Sequence, residues 1–72
     1  MLTTGQRIRS LRKSKGLTQE KLAEQVGVDT LAVLRWESDK RLPSADNLLS
    51  LAAVLGVSIE HILTGKGDHH EP

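Results

Sequence analysis

The chain has 72 residues and a formal net charge of +1, with no cysteine and one aromatic residue, Trp36. This length suits a single small domain, and without cysteine the domain has no disulfide or thiolate site. One aromatic side chain is too few for a stacking platform that binds single-stranded nucleic acid or RNA. No apolar run approaches the ~20 residues of a membrane span. The N-terminus lacks a signal-peptide pattern, so we expect a cytoplasmic protein.

The charges are unevenly distributed along the chain. Residues 1–21 carry six basic side chains and one acidic one, whereas residues 22–72 carry four basic and eight acidic ones. A basic end of this kind is typical of a surface that meets a polyanion. A solvated basic helix explains the pattern about equally well, so the charges alone leave the partner open.

Capping residues and glycines divide the chain into five segments that predict helices. A Ser, Thr or Asp begins each segment and a glycine follows most of them, which is the pattern of helix ends. No segment alternates like a strand. We therefore expect an all-α domain over residues 1–65 and a flexible tail over 66–72. The predicted helices cover about 4–15 (with Thr4 as N-cap), 18–27, 29–38, 44–56 and 58–64.

Apolar residues recur at helical spacing in these segments and predict the core. Helices this short are unstable alone, so packing between them must hold the fold. The expected core consists of Ile8, Leu11, Leu22, Ala23, Val26, Val28, Val33, Trp36, Leu48, Leu51, Ala52, Leu55, Val57, Ile59, Ile62 and Leu63.

The second and third segments are joined by a very short connection. Only Gly27 and Val28 precede the Asp29 cap, and Gly27 can adopt the left-handed conformation that reverses the chain abruptly. Ala23 is small where the two helices must approach each other. This arrangement is typical of a helix-turn-helix, whose second helix enters the DNA major groove. An ordinary helical hairpin is the alternative.

Several separated elements support the first interpretation over residues 5–67. They are a basic first helix, Leu-Thr-Gln at 17–19, Leu22-Ala23, Gly27-Val28, Trp36-Glu37, Pro43-Ser44 and Leu-Gly-Val-Ser at 55–58. In this combination the chain resembles the phage-repressor and Cro-type family, also called the xenobiotic-response-element (XRE) family. The resemblance implies a five-helix lambda-repressor-like fold and a transcription regulator, a repressor, that binds double-stranded DNA as a homodimer on a palindromic operator. Some members serve mainly as protein-binding modules.

The third segment is the expected recognition helix. If Val33 and Trp36 face the core, successive turns of about 100° direct the neighbouring residues outward. Arg35 is the strongest candidate, because a guanidinium pairs with both acceptors of guanine. Leu31 and Leu34 stand where members commonly carry polar residues. They either pack on a thymine methyl or sugar or contact a protein. The resemblance implies base contacts from Thr30, Leu31 and Arg35.

The resemblance also implies contacts to the DNA backbone from two places. One is the start of the second segment, where free N–H groups and the positive end of the helix dipole suit a phosphate. The other is the loop after the recognition helix, where Asp39 stands at a position that is often glycine in the family. If that position requires a positive φ, aspartate is among the tolerated residues. The resemblance implies Gln19, Lys40 and Arg41, and with Thr18, which also caps the helix, and Ser38 these are the expected backbone contacts.

Two further groups of residues have expected structural roles. The resemblance pairs Arg12 with Glu37 in a partly buried ion pair that ties the first helix to the recognition helix, and Arg12 could in addition reach a phosphate. Apolar residues of the last two segments exceed what one small core needs, which favours a two-fold dimer contact, although a single core absorbing them all is the alternative. The expected dimer interface consists of Leu49, Ala53, Ile59, Ile62 and Leu63.

Other functions receive little support from the sequence. It has no glycine-rich phosphate loop and no histidine–carboxylate pair in a plausible pocket, so we expect neither an enzyme nor a cofactor. His69 and His70 lie near two acidic residues, but nothing there predicts a preformed metal site. We expect no membrane contact. The alternative to DNA regulation is an antitoxin or anti-regulator of the same fold, whose Leu31–Leu34 face binds a protein partner.

Overall fold

A computed structural model of the protein describes residues 1–67. Within that range the chain forms helices and no strand, which confirms the predicted all-α, five-helix architecture. None of these helices is long and apolar enough to cross a membrane. The helices are α1 (Thr4–Ser14), α2 (Gln19–Val26), α3 (Thr30–Glu37), α4 (Ala45–Leu55) and α5 (Ile59–Thr64).

Every helix begins at a side chain that caps its first turn. The predicted caps of α2 to α5 are confirmed, whereas the expected cap of α1 at Thr4 is wrong by one residue. The Thr3 hydroxyl accepts from the Gln6 N–H at 3.1 Å, and the Gln6 side chain accepts from the Thr3 N–H at 2.9 Å. Because this capping box satisfies two N–H groups at once, it fixes the start of α1 at the earlier threonine.

The core contains one completely buried side chain from each helix. These are Ile8 in α1, Leu22 in α2, Val33 in α3, Leu51 in α4 and Ile62 in α5, each with 0% exposure. Full burial of such a side chain contributes about 1.5–3 kcal/mol. The five short helices therefore share a single apolar centre, and Ala23, Trp36 and Leu55 complete it.

Half of the basic residues in residues 1–21 serve the fold rather than an outer surface. The Arg7 guanidinium donates to the backbone carbonyls of Ile62, Leu63 and Leu2 at 2.8, 2.7 and 2.6 Å. The Lys15 ammonium lies beside Gly56, directly after α4. Both cations thus lie at helix C-termini, where the helix dipole favours positive charge. With Arg12 also engaged internally, the basic end of the sequence is a weaker sign of a polyanion surface than its charge suggests.

A buried ion pair joins α1 to the end of α3. Arg12 Nε lies 2.6 Å from Glu37 Oε2, and Arg12 Nη2 donates to Oε1 at 3.1 Å. Only 9% of the Arg12 side chain and 4% of the Glu37 side chain are exposed. Arg12 Nη1 donates to the Leu17 carbonyl at 2.8 Å. The guanidinium is therefore directed into the protein, and an additional contact with a phosphate does not match this geometry.

This arrangement predicts a strong coupling between the two charges. Arg12→Met and Glu37→Met should each lower the free energy of unfolding by about 3–5 kcal/mol, because each leaves one buried charge unpaired. The double variant should lose less than the sum of the single losses, since it removes both charges together. Urea unfolding of the three variants measures this, and losses that simply add would contradict the pairing.

Candidate nucleic-acid interface

The connection between α2 and α3 has the tight geometry of a helix-turn-helix. Gly27 takes φ 91° and ψ 31°, in the left-handed region. The N–H groups of Gly27 and Val28 both donate to the Ala23 carbonyl, at 2.8 and 2.9 Å. The Asp29 carboxylate then accepts from the Ala32 N–H at 2.9 Å and starts α3. Because Ala23 is buried and small, the two helices pack closely at this corner.

One face of α3 points away from the rest of the domain. Val33 and Trp36 are buried behind it, as the sequence predicts. On the open face Leu31 is 49% and Leu34 is 46% exposed, and Arg35 is also exposed. Thr30, the remaining candidate for a base contact, is half-buried at the start of the helix. The helix therefore presents an apolar pair and a cation to the exterior.

The loop after α3 brings a second cation next to Arg35. The N–H groups of Lys40 and Arg41 donate to the Arg35 carbonyl at 2.9 and 3.3 Å, so the loop folds back over the end of the helix. Arg35 and Arg41 line a hollow of about 100 Å³ together with Ala32 and Trp36. Within residues 1–67 neither guanidinium forms an ion pair. Two unpaired guanidinium groups at one hollow suit an anionic partner.

The other residues expected to contact the DNA backbone differ in whether their polar groups are free to bind a phosphate. The Thr18 hydroxyl accepts from the Lys21 N–H at 3.0 Å, so it caps α2 while remaining exposed. Gln19 Nε2 donates to Glu37 Oε1 at 3.0 Å, which braces the last residue of α3. The Ser38 hydroxyl donates to the Leu34 carbonyl at 2.9 Å. Since a hydroxyl has one proton, Ser38 is not a preformed donor to a phosphate.

Asp39 has a role that the sequence did not reveal. It takes a positive φ of 62°, the only non-glycine residue among residues 1–67 to do so. Its carboxylate accepts from the Gly5 N–H at 2.9 Å and from the Thr3 hydroxyl at 2.6 Å. The frequent glycine at this position in the family signalled the backbone conformation. It carried no information about partners 34 and 36 residues away.

The expected dimer interface is only partly available at the surface. Leu49 is 61% exposed, and Ala53 and Leu63 are also exposed, so Leu63 is wrong as a core residue. Ile59 is half-buried. The assignment of Ile62 to the interface is wrong, because this side chain is the contribution of α5 to the core and has no exposed surface. The open apolar patch on α4 and α5 therefore consists of Leu49, Ala53 and Leu63, with part of Ile59.

The histidines do not form a metal site in the described part of the chain. Residues 1–67 contain no group of three or more His, Cys, Asp or Glu side chains that could hold an ion. His69 and His70, and residues 68–72 of the predicted tail, lie outside that range. His61 is half-buried with an unpartnered Nδ1, and it lines a hollow of about 340 Å³ between α1 and α5.

Comparisons with known proteins agree with this geometry. BcrR, a transcriptional activator of Enterococcus faecalis, is 38% identical over 61 residues, which are 85% of this chain and 30% of BcrR. Repressor protein C2 of Salmonella phage P22 is also 38% identical over 61 residues, 85% of this chain and 28% of the repressor. The chain thus spans less than a third of the length of either relative.

Solved structures share both the fold and the sequence pattern. The P22 c2 repressor in complex with a synthetic operator has a TM-score of 0.88 and 35% identity, covering 92% of this chain and 100% of that chain. SinR in complex with SinI has a TM-score of 0.82 and 34% identity, covering 96% of this chain and 68% of that chain. The sequence model of the helix-turn-helix family matches residues 8–62, more than half of the chain. The protein therefore belongs to the helix-turn-helix family of XRE-type regulators, which includes phage repressors.

Proposed function

We propose that the protein is a sequence-specific, double-stranded DNA-binding regulator of transcription that acts in the cytoplasm of a bacterium or of a phage-infected cell. The observation that carries this proposal is the unpaired Arg35 on the open face of α3. A guanidinium that is exposed there, with no ion-pair partner among residues 1–67, is available to a base edge in a major groove. The similarity to P22 c2, which was solved with an operator, supports the same use of the helix.

Base reading would divide among three side chains of α3. Arg35 would donate to O6 and N7 of guanine, the commonest specific contact in a major groove. Leu31 has no hydrogen-bonding group and would pack on the methyl group of thymine. Thr30, half-buried at the first turn, would add a bond to a base or a nearby phosphate.

Backbone contacts would orient α3 in the groove. Lys40 and Arg41 are exposed and would neutralise phosphates on one side. The N-terminus of α2, with Thr18 and Gln19, would approach the backbone on the other side, where the helix dipole favours a phosphate. Gln19 keeps one amide hydrogen beyond the bond it donates to Glu37. These contacts carry no sequence information but fix the register in which Arg35 reads.

We further propose a homodimer on a palindromic operator. The patch formed by Leu49, Ala53 and Leu63 is apolar and exposed, which suits burial against a second copy. A two-fold dimer would place two α3 helices about 34 Å apart, in successive turns of the major groove. The relatives are named as an activator and a repressor. We favour repression, because a dimer seated on an operator blocks other proteins from that DNA without any further contact.

One observation favours a second function, binding to another protein. Leu31 and Leu34 form an exposed apolar pair on α3, where a purely polar readout would place hydrogen-bonding groups. SinR has been solved in complex with the protein SinI. On this alternative the domain is an antitoxin or anti-regulator, and the leucine pair is buried by a partner rather than by DNA.

Base readout and phosphate contact are separated by two single substitutions. Arg35→Ala should cost about 1–3 kcal/mol of binding free energy on the preferred sequence and relax the preference at one base pair. Lys40→Ala should weaken binding to all duplexes alike. It should also reduce the slope of log affinity against log salt concentration by about one. Titration of a duplex selected from a random pool, at two salt concentrations, measures both effects.

Lys13→Ala is the matched control, because Lys13 is an exposed cation on α1 without an assigned contact. It should leave the base preference unchanged. If Arg35→Ala behaves like Lys13→Ala on every duplex, the assignment of Arg35 to base readout is wrong.

Replacing thymine by deoxyuridine in the selected duplex tests the role of Leu31. The replacement removes only the methyl group, so the contact with Leu31 should weaken by about 0.5–1 kcal/mol at the thymine it touches. In Leu31→Ala the same replacement should have almost no effect, since the methyl group has already lost its partner. Equal binding of both duplexes by the unsubstituted protein would favour the protein-binding alternative for the leucine pair.

Leu49→Glu tests the dimer. The side chain is largely exposed in one copy, so the substitution should leave thermal unfolding of the monomer nearly unchanged. Placed in an apolar interface it would introduce two desolvated charges and should convert a dimer to a monomer in sedimentation. Affinity for a full palindrome should then fall to that for a half-site. An unsubstituted protein that sediments as a monomer on a palindromic duplex would contradict the dimer.

A further inference from the structure

We propose that Asp39 is a positioning residue for DNA binding: its carboxylate fastens the loop formed by residues 38–41 to the N-terminus of α1, and so holds Lys40 and Arg41 in place before DNA arrives. The effect of this contact on DNA binding rests on the proposed function. The fastening itself is a property of the free protein.

The N-terminus of α1 accommodates an anion because its own first turn supplies none. The first turn contains no acidic residue, so the positive end of the helix dipole lacks a local countercharge. The capping box satisfies the N–H groups of Thr3 and Gln6. The N–H of Gly5 lies outside the capping box, and it donates to Asp39 Oδ1 at 2.9 Å. The Thr3 hydroxyl donates to Oδ2 at 2.6 Å, so each carboxylate oxygen accepts one hydrogen bond from α1 or its cap.

The close approach of the two segments depends on Gly5. This residue is buried, and a Cβ placed on it would overlap with the Trp36 carbonyl oxygen. The same Cβ would lie 2.8 Å from Asp39 Oδ1 and 2.8 Å from the Glu37 carbonyl oxygen. A residue without a side chain therefore lets α1 contact both the end of α3 and the loop that follows it.

The backbone at Asp39 indicates why the carboxylate matters. A positive φ of 62° is uncommon for a residue with a side chain, and glycine adopts it without strain. Aspartate also places a negative charge between Ser38 and Lys40, in the loop that would contact phosphates. Both disadvantages are offset when the carboxylate turns away from the DNA and binds the N-terminus of α1. Lys40 and Arg41 remain exposed on the outside.

Substitution of Asp39 has opposite expected effects under two explanations. If Asp39 only adds negative charge near DNA, Asp39→Gly strengthens binding, because it removes a charge that repels the phosphates. If Asp39 positions the loop, the same variant weakens binding, because Lys40 and Arg41 must then be ordered during association. Asp39→Asn retains an acceptor for the Gly5 N–H and tolerates a positive φ, so it should restore most of the affinity.

The experiment measures duplex affinity at several salt concentrations for the full chain and its variants. We expect Asp39→Gly to lower affinity about tenfold and to flatten the salt slope by about one, the change for one lost phosphate contact. Asp39→Asn should stay within about threefold of the unsubstituted protein. Asp46→Asn, at an exposed acid in the first turn of α4, is the matched control for loss of one charge. Binding by Asp39→Gly that equals or exceeds that of Asp46→Asn, with an unchanged slope, would overturn the proposal.

A second measurement without DNA separates the proposal from the proposed function. Backbone ¹⁵N relaxation in the free protein should give Lys40 and Arg41 order parameters near the rigid value of about 0.85, and values below about 0.6 in Asp39→Gly. Unchanged order parameters would overturn the fastening, and a loosened loop with undiminished affinity would overturn its role in binding. If the unsubstituted protein binds no duplex at low salt, the proposed function fails, and the positioning role for DNA fails with it. The relaxation data then still decide whether Asp39 holds the loop.

Discussion

The Glu37 carboxylate is the contact on which the orientation of α3 depends. It accepts hydrogen bonds from Arg12 on α1 and from Gln19 on α2, while Arg12 also donates to the Leu17 carbonyl ahead of α2. An eight-residue helix cannot set its own direction, so its end must be fixed from outside. Apolar contacts at Val33 and Trp36 bury the helix, and the directional bonds to Glu37 further restrict the angle at which it projects.

The same end of α3 is held a second time, by a different kind of contact. Gly5 allows α1 to touch the carbonyl groups of Trp36 and Glu37, and Asp39 returns from the following loop to cap α1. One contact is a buried ion pair with two further hydrogen-bond partners, Leu17 and Gln19, and the other is a helix cap made by a distant carboxylate. Both join α1 to α3, so α1 acts as the support from which α3 projects.

Local signals in the sequence predicted the helices. Contacts between residues remote in sequence limited the prediction of the packing and of the candidate site. Caps such as Thr18 and Asp29 and the turn at Gly27 depend on neighbours within a few residues, so their pattern is visible in the sequence. The Arg12–Glu37 pair was implied by family resemblance rather than by spacing. Ile62 was assigned to both the core and the dimer interface, because the apolar residues of the six-residue α5 lie within one stripe of about 100° and only packing decides which part of it is buried. Arg7 and Asp39 were missed because their partners are remote in sequence.

Several basic residues are engaged within the fold, so few cations are available to contact DNA. Arg7 and Arg12 are bound to the protein itself and Lys15 lies at the end of α4, so the charge of the first 21 residues overstates the positive surface. On the face that α3 presents, the exposed cations are Arg35, Lys40 and Arg41. A surface with so few charges gains affinity mainly from their placement, because each contact must form without a further cost of ordering. Under the proposed function, a weakly charged domain of this kind would depend on a rigid loop and on the pairing of two α3 helices, whereas a strongly basic domain would tolerate mobility in either.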